Sequence, residues 1–167
     1  MIYSINKTIK KAGKTFIVVK KAQIHFKKYL CMYCLDKHMS RKSKGINAER
    51  ELVHLFWEAN GWSAIRVAGS GSSPFPCPDV LAGNRIRKLA IECKTVNAKS
   101  KYLTEKEINQ LNKFSGVFGA EPWIGVKFKS DWFFLSIDDL KKTEKGYAIS
   151  KDLARKKGLL LDELIEK

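Results

Sequence analysis

The stretch Ser70–Lys94, SGSSPFPCPDVLAGNRIRKLAIECK, constrains this chain more than any other. It begins within a loop, Gly69–Pro78, whose glycines, serines and three prolines suit neither a helix interior nor an inner strand. Asp79–Ala82 is a short strand. Gly83-Asn84 supplies hairpin-turn chemistry, and Lys88–Val96 reads as the partner strand. Strand side chains alternate faces, so Leu89, Ile91 and Cys93 point one way and Ala90, Glu92 and Lys94 the other. The hairpin brings Asp79 within reach of Glu92. The flanks Val80-Leu81 and Leu89-Ala90-Ile91 are apolar, which marks both strands as buried and their charges as belonging to a site.

Two carboxylates and an ammonium at one spot suit metal-assisted attack on a phosphodiester. Asp79 and Glu92 are hard oxygen ligands for Mg²⁺, and the Cys93 carbonyl is a further donor. Lys94 is placed to orient the attacking water or to stabilise the charged transition state. Glu-x-Lys on a strand can equally be a solvated surface pair, so the burial of the flanks carries this reading.

Charge points to the partner. The chain has 167 residues, enough for one domain with a real core, and a formal net charge of +15. Residues 1–44 hold 12 Lys/Arg against Asp36 alone, while residues 45–167 hold 20 against 16 acids. A basic arm on a mildly basic domain fits a polyanion. With no basic amphipathic helix bearing an aromatic face, nucleic acid is favoured over a membrane surface. Near the N-terminus the longest apolar run is Phe16–Val19, too short for a signal-peptide core or a membrane span. The four cysteines, Cys31, Cys34, Cys77 and Cys93, do not make the framework of a small secreted protein. The reading is a cytoplasmic protein with reduced thiols.

Residues 1–38 are interrupted by lysines and show no clear period. Phe16–Val19 suits a short strand and Ala22–Leu30 a weak helix. Cys31, Cys34 and His38 are three plausible zinc ligands where a structural site needs four, and Asp36 is an unusual fourth. A basic, disordered or dispensable extension is expected over 1–38, with the nuclease-like domain at 39–167 and Met39 as a natural start. Apolar residues from Ile46 to Asn60 recur at helical spacing, and Gly61 is the expected C-cap. Glu49 shares the core-facing stripe with Leu52, Val53 and Phe56. A carboxylate there is costly unless paired or metal-bound, although the helix N-terminus also favours it. Glu51 lies nearer the polar side, with His54, Leu55 and Glu58.

Trp62–Ala68 is expected as a strand with Ala64, Arg66 and Ala68 on one face. Thr104–Glu107 is a capping box opening a helix to Phe118, lined inside by Ile108, Leu111, Phe114, Ser115 and Phe118. Trp123–Phe128 and Trp132–Ile137 are strands, the second rich in aromatics and expected to be buried or part of a dimer interface. Asp138–Leu140 is a short helical piece, and Gly158–Glu166 a last helix or docked tail. This order predicts an α/β domain, a mixed central β-sheet flanked by α-helices on both sides.

Pro78-Asp79 followed by Glu92-Cys93-Lys94 is the PD-(D/E)xK nuclease motif. Together with Lys44-Gly45-x-x-Ala48-Glu49-Arg50 and Arg66–Ser72, the chain resembles the archaeal Holliday junction resolvases from about Ser43 to Glu166. The TEKEINQL, GAEPWIGVKF and LKKTEKG segments belong to that resemblance. It implies a restriction-endonuclease-like fold and a homodimer that cuts two opposed strands of a four-way DNA junction with Mg²⁺ or Mn²⁺. It implies Glu49, Asp79, Glu92 and Lys94 as the catalytic quartet, the three carboxylates as metal ligands, and Ser70 as a catalytic loop serine. Arg50 and Arg66 would hold DNA phosphates. Arg41, Lys42 and Lys44 form a basic arm that can reach the DNA backbone, and hydroxyls such as that of Ser72 can contact phosphate. Trp132–Leu135 and the Thr104–Phe118 helix are candidate dimer interfaces. A restriction or repair nuclease on the same fold and a non-catalytic DNA-binding module are the rival readings.

Overall fold

The structure, a computed structural model, describes residues 6–11, 14–19 and 41–166. The chain divides into two units at Ser40/Arg41. In the first, β1 (Asn6–Lys11) and β2 (Lys14–Val19) pair antiparallel, with Ile9 opposite Phe16. The strand expected at Phe16–Val19 is part of β2. The expectations for Ala22–Leu30, for Cys31, Cys34, Asp36 and His38, and for a start at Met39 lie outside the described residues.

The second unit opens with α1 (Arg41–Glu58). This helix starts five residues before the predicted Ile46, so Arg41, Lys42 and Lys44 form its first turns rather than an extended arm. Turn residues follow it, and Gly61 takes φ +83, a left-handed conformation that glycine adopts without strain. Then come β3 (Ser63–Arg66), a 3₁₀ turn (Ser70–Ser72), β4 (Val80–Gly83) and β5 (Lys88–Val96). β3 is shorter than predicted, and Ala68 falls beyond it on an exposed turn. β6 (Ser100–Leu103), α2 (Glu105–Phe118), β7 (Glu121–Phe128) and β8 (Asp131–Leu135) follow. A 3₁₀ turn (Ile137–Asp139), β9 (Lys141–Thr143), β10 (Gly146–Ser150), α3 (Lys151–Lys157) and α4 (Leu161–Glu166) complete the unit.

The central sheet has the order β3-β4-β5-β7-β8 and is mixed: β5 and β7 run parallel, and the other neighbours antiparallel. Helices lie against it, as predicted. Its two faces carry two apolar clusters. Leu52 and Phe56 of α1 pack with Val80, Ala82, Leu89 and Ile91, with Cys93 at the margin. Ile108 and Leu111 of α2 pack with Ala90, Val96, Ile124 and Val126. The predicted alternation along β5 therefore holds. α2 is fixed at its start by the capping box, in which Glu107 N–H donates to Thr104 Oγ1 (3.2 Å) and Thr104 N–H donates to Glu107 Oε2 (2.7 Å). Phe118 departs from the inner face where the period placed it: it is 45 % exposed, at the last turn before the left-handed Gly119.

Two features were not predicted. A second sheet, β6-β10-β9, flanks the first, and α3 follows it. Gly146 makes that sheet possible, since at φ +140 an added Cβ would sit 2.3 Å from Leu103 O. The aromatic strand β8 takes the first of its two expected roles: Trp132, Phe133, Phe134 and Leu135 are all buried by their own chain.

Candidate active site

The loop before β4 and the middle of β5 meet at Asp79. Its N–H donates to Ile91 O (3.1 Å), extending the Val80–Ile91 pairing by one residue and setting Asp79 beside Glu92 and Cys93. Cys93 N–H donates to Asp79 Oδ2 (2.9 Å), and Ser70 Oγ donates to Asp79 Oδ1 (2.7 Å). Both oxygens are thus oriented, one by the strand and one by the 3₁₀ turn. That turn explains how a Ser/Gly/Pro loop can hold a side chain in place: Ser72 N–H donates to Gly69 O (2.9 Å), closing it on itself.

Glu92 and Lys94 project from the α2 side of β5. Lys94 Nζ donates to Glu92 Oε1 (2.6 Å) and to Glu107 Oε1 (2.9 Å). Both β5 side chains are 16 % exposed. Burial pushes the Glu92 carboxyl up to about 7; the Lys94 charge opposes this, and Asp79 adds to it. Burial alone would lower the Lys94 ammonium, but the Glu92 charge and the hydrogen bonds to Glu92 and Glu107 outweigh it, so Lys94 is raised. For Glu107, burial is outweighed by the Thr104 N–H and Lys94, and its carboxyl is lowered. Lys94 therefore stays charged, held between two carboxylates. The adjacent Cys93 thiol is driven well up by burial, then by Asp79 and Glu92, and is a packing group.

Glu49 reaches the same region from α1. Arg66 Nη1 donates to its Oε2 (2.9 Å). Burial raises the Glu49 carboxyl, and the Asp79 charge raises it further. The charge of Asp79 thus acts on both Glu49 and Glu92, which makes Asp79 the centre of the group. The core-facing carboxylate is accommodated by pairing, and Arg66 is turned into the site rather than out to solvent. Arg50 and Lys44 are exposed on α1, and Arg41 and Lys42 are its first two residues. Ser72 is exposed, with its Oγ–H donating to Gly69 O (3.2 Å).

Oxygen donors facing one another under burial suit a hard divalent cation, which relieves the cost of ionising Glu92 next to Asp79. Among the described residues no three Asp, Glu, His or Cys side chains are gathered as a ready metal group. Of the three expected carboxylates, Asp79 is fixed by Ser70 and Cys93, Glu92 is paired with Lys94, and Glu49 is paired with Arg66.

Sequence reading missed Glu107 as a member of this group. Its role as the third residue after Thr104 was visible, but its other oxygen meets Lys94, and only the placement of α2 over β5 shows that. Glu51, expected nearer the polar side of the helix, is more exposed than Glu49, 25 % against 14 %. It accepts from the buried Lys127 and from Trp132 Nε1–H (3.1 Å), so it sits at the packed junction of α1 with β7 and β8.

The chain matches the family model of the archaeal Holliday junction resolvase (Hjc) over residues 40–167. It is similar to the crossover junction endodeoxyribonuclease Hjc of Archaeoglobus fulgidus, at 45 % identity over 67 % of this chain and 82 % of that protein. The enzyme of the same name from Methanocaldococcus jannaschii is 32 % identical over 73 % of this chain and 96 % of that protein. The solved structure of Archaeoglobus fulgidus Hjc, a Holliday junction resolvase, superposes with a TM-score of 0.67 at 41 % identity, covering 72 % of this chain and 97 % of that one. An α/β domain with a mixed sheet, a Pro-Asp…Glu-x-Lys site at its centre and this breadth of similarity agree, and the chain belongs to the archaeal Holliday junction resolvase family.

Proposed function

We propose that this chain is a metal-dependent endonuclease that resolves four-way DNA junctions by paired phosphodiester cuts. The observation that carries this reading is the Asp79-centred group, in which two oriented carboxylates lie beside a lysine kept charged between Glu92 and Glu107. Nucleases of this family are metal-dependent, and the oxygen donors here favour Mg²⁺, with Mn²⁺ as a substitute. Asp79 and Glu92 would hold the ion. When bound, it supplies charge neutralisation at the phosphate and a more acidic water.

The chain's own groups do the rest. The Ser70 hydroxyl and the Cys93 N–H fix the Asp79 carboxylate. Glu107 and Glu92 fix the Lys94 ammonium, which donates to the attacking water or to an oxygen of the scissile phosphate as charge develops there. Arg66, aligned by Glu49, keeps further donors for a neighbouring phosphate. Lys44 and Arg50, with Arg41 and Lys42 on the same helix, supply contacts to the DNA backbone. Ser72 extends the hydrogen-bonding surface of the loop.

A homodimer suits a substrate with two exchanging strands related by approximate two-fold symmetry. Trp132–Leu135 is buried within the protomer and is no longer a candidate interface. The end of α2 remains one, with Val117 88 % and Phe118 45 % exposed. We further propose that residues 39–167 suffice for the activity. Among the described residues no helix is long and apolar enough to cross a membrane.

The test compares cleavage of a four-way junction with that of linear duplex, with and without Mg²⁺. Paired cuts in the junction, little cleavage of the duplex and none after chelation are expected. Asp79→Ala should abolish cleavage while junction binding remains. Equal rates on junction and duplex would refute junction resolution, and cleavage retained by Asp79→Ala would refute the site.

A further inference from the structure

The lysines of the second unit are not evenly placed. Residues 45–167 carry 20 Lys/Arg against 16 acids. Within that range, residues 99–103 and 141–151 hold Lys99, Lys101, Lys141, Lys142, Lys145 and Lys151 against Glu144 alone. These two segments are far apart in sequence and come together only because β10 pairs with both β6 and β9. These two segments, six lysines against one glutamate, hold a net +5, and the rest of residues 45–167 is near neutral.

The sheet has two unlike faces. Leu103 and Ile149 are buried inward, at 2 % and 0 % exposure. Outward, Tyr102, Ala148 and Lys141 line up across the three strands, and Tyr102 is 70 % exposed. Lys141 and Lys142 of the edge strand β9, which point to opposite faces, and Lys145 of the β9–β10 turn are exposed, and among the described residues none of the three is in an ion pair. A cleft of about 510 Å³ runs along Tyr102, Thr104, Lys145 and Tyr147. Thr104 is the residue that anchors Glu107, and Glu107 holds Lys94.

We propose that the β9 edge of the β6-β10-β9 sheet, with the β9–β10 turn, is a docking surface for the phosphate backbone of one duplex arm of the substrate. The proposal rests on the nuclease reading above and extends it, since none of these lysines belongs to the motif. Unpaired exposed ammonium groups beside an exposed aromatic ring complement a polyanion, and each phosphate contact releases condensed counterions.

Junction binding by Lys141→Gln/Lys142→Gln/Lys145→Gln, measured across a range of salt concentrations, tests this. Three lost phosphate contacts should lower the slope of log affinity against log salt by about 2.7 and weaken binding at least tenfold at about 0.1 M salt. A triple substitution of Lys129, Arg155 and Lys156 to Gln removes the same charge elsewhere and should lower the slope by less than about one. Thermal unfolding of both variants checks folding. A slope equal to wild type in the first variant, or an equal loss in both, would overturn the proposal. Asp79→Ala, run alongside, separates the two levels: cleavage surviving there removes the site reading, whereas unaltered binding in the lysine variant removes the docking surface alone.

Discussion

Glu92 offers the most direct test of the site's electrostatics. Burial, aided by Asp79 and Glu107 and opposed by Lys94, raises its carboxyl from 4.5 to about 7. Between those values the folded protein keeps a proton that the unfolded chain has released. The folded state is therefore favoured at acid pH and loses this advantage as pH rises through about 7. The side chain is only 16 % exposed, so solvent screens little of the effect. Each unit of pKa difference corresponds to about 1.4 kcal/mol, and a rise from about pH 5 to about pH 8 sweeps most of the interval, for a loss of about 2.5 kcal/mol. That is a large part of the ~5–15 kcal/mol stability of a typical domain. Urea unfolding of the metal-free protein and of Glu92→Gln, at a series of pH values, isolates the term, because most other titrating groups are common to both. The stability of wild type relative to Glu92→Gln should fall by about 2.5 kcal/mol over that range. Added Mg²⁺ should restore much of it at the alkaline end, where the ionised pair is the form a cation binds. A difference that does not change with pH, or one that grows in favour of wild type, would refute the reasoning.

Further perturbations separate catalysis from scaffold. Glu107→Gln keeps an acceptor for the Thr104 cap but removes the second carboxylate from Lys94. Single-turnover cleavage should fall by about tenfold to a hundredfold, with unfolding little changed. Thr104→Ala should cost about 1 kcal/mol in denaturant unfolding and affect cleavage less. Arg87 binds Glu121 through two hydrogen bonds of 2.7 Å and donates to Leu164 O at 2.7 Å, joining the β4–β5 turn to β7 and α4. Lysine cannot reproduce this fork, and Arg87→Lys should lower stability by about 1–2 kcal/mol in urea unfolding. Phe56→Ala empties the centre of the α1 face and should cost about 3–5 kcal/mol by the same measurement.

The hairpin around Asp79, the alternation along β5, the capping box of α2 and the mixed order of elements were all legible in the sequence. Each is a local or near-local property: a period of two, a period near 3.6, a turn residue, a cap three residues from its partner. The motif needed only short range as well, since Asp79, Glu92 and Lys94 lie on adjacent strands joined by a tight turn. Glu49 could be suspected because a carboxylate on an apolar stripe needs a partner, and Arg66 is that partner.

The tertiary structure decided what sequence distance conceals. Glu107 becomes part of the site because α2 crosses β5 where Lys94 emerges. Glu51, read as lying nearer the polar side, has its partner in Lys127, 76 residues away. The aromatics of β8 suited either a buried strand or an interface, and its own chain buries it. The second sheet went unseen because its strands are three to five residues long and lysine-rich, with little apolar alternation to announce them. The sequence by itself determined the candidate reacting groups and the elements that carry them, because local chain geometry sets both. Which carboxylates share a lysine, and where the positive charge collects, were settled only by how distant strands and helices pack, since long-range pairing leaves no periodic trace in the chain.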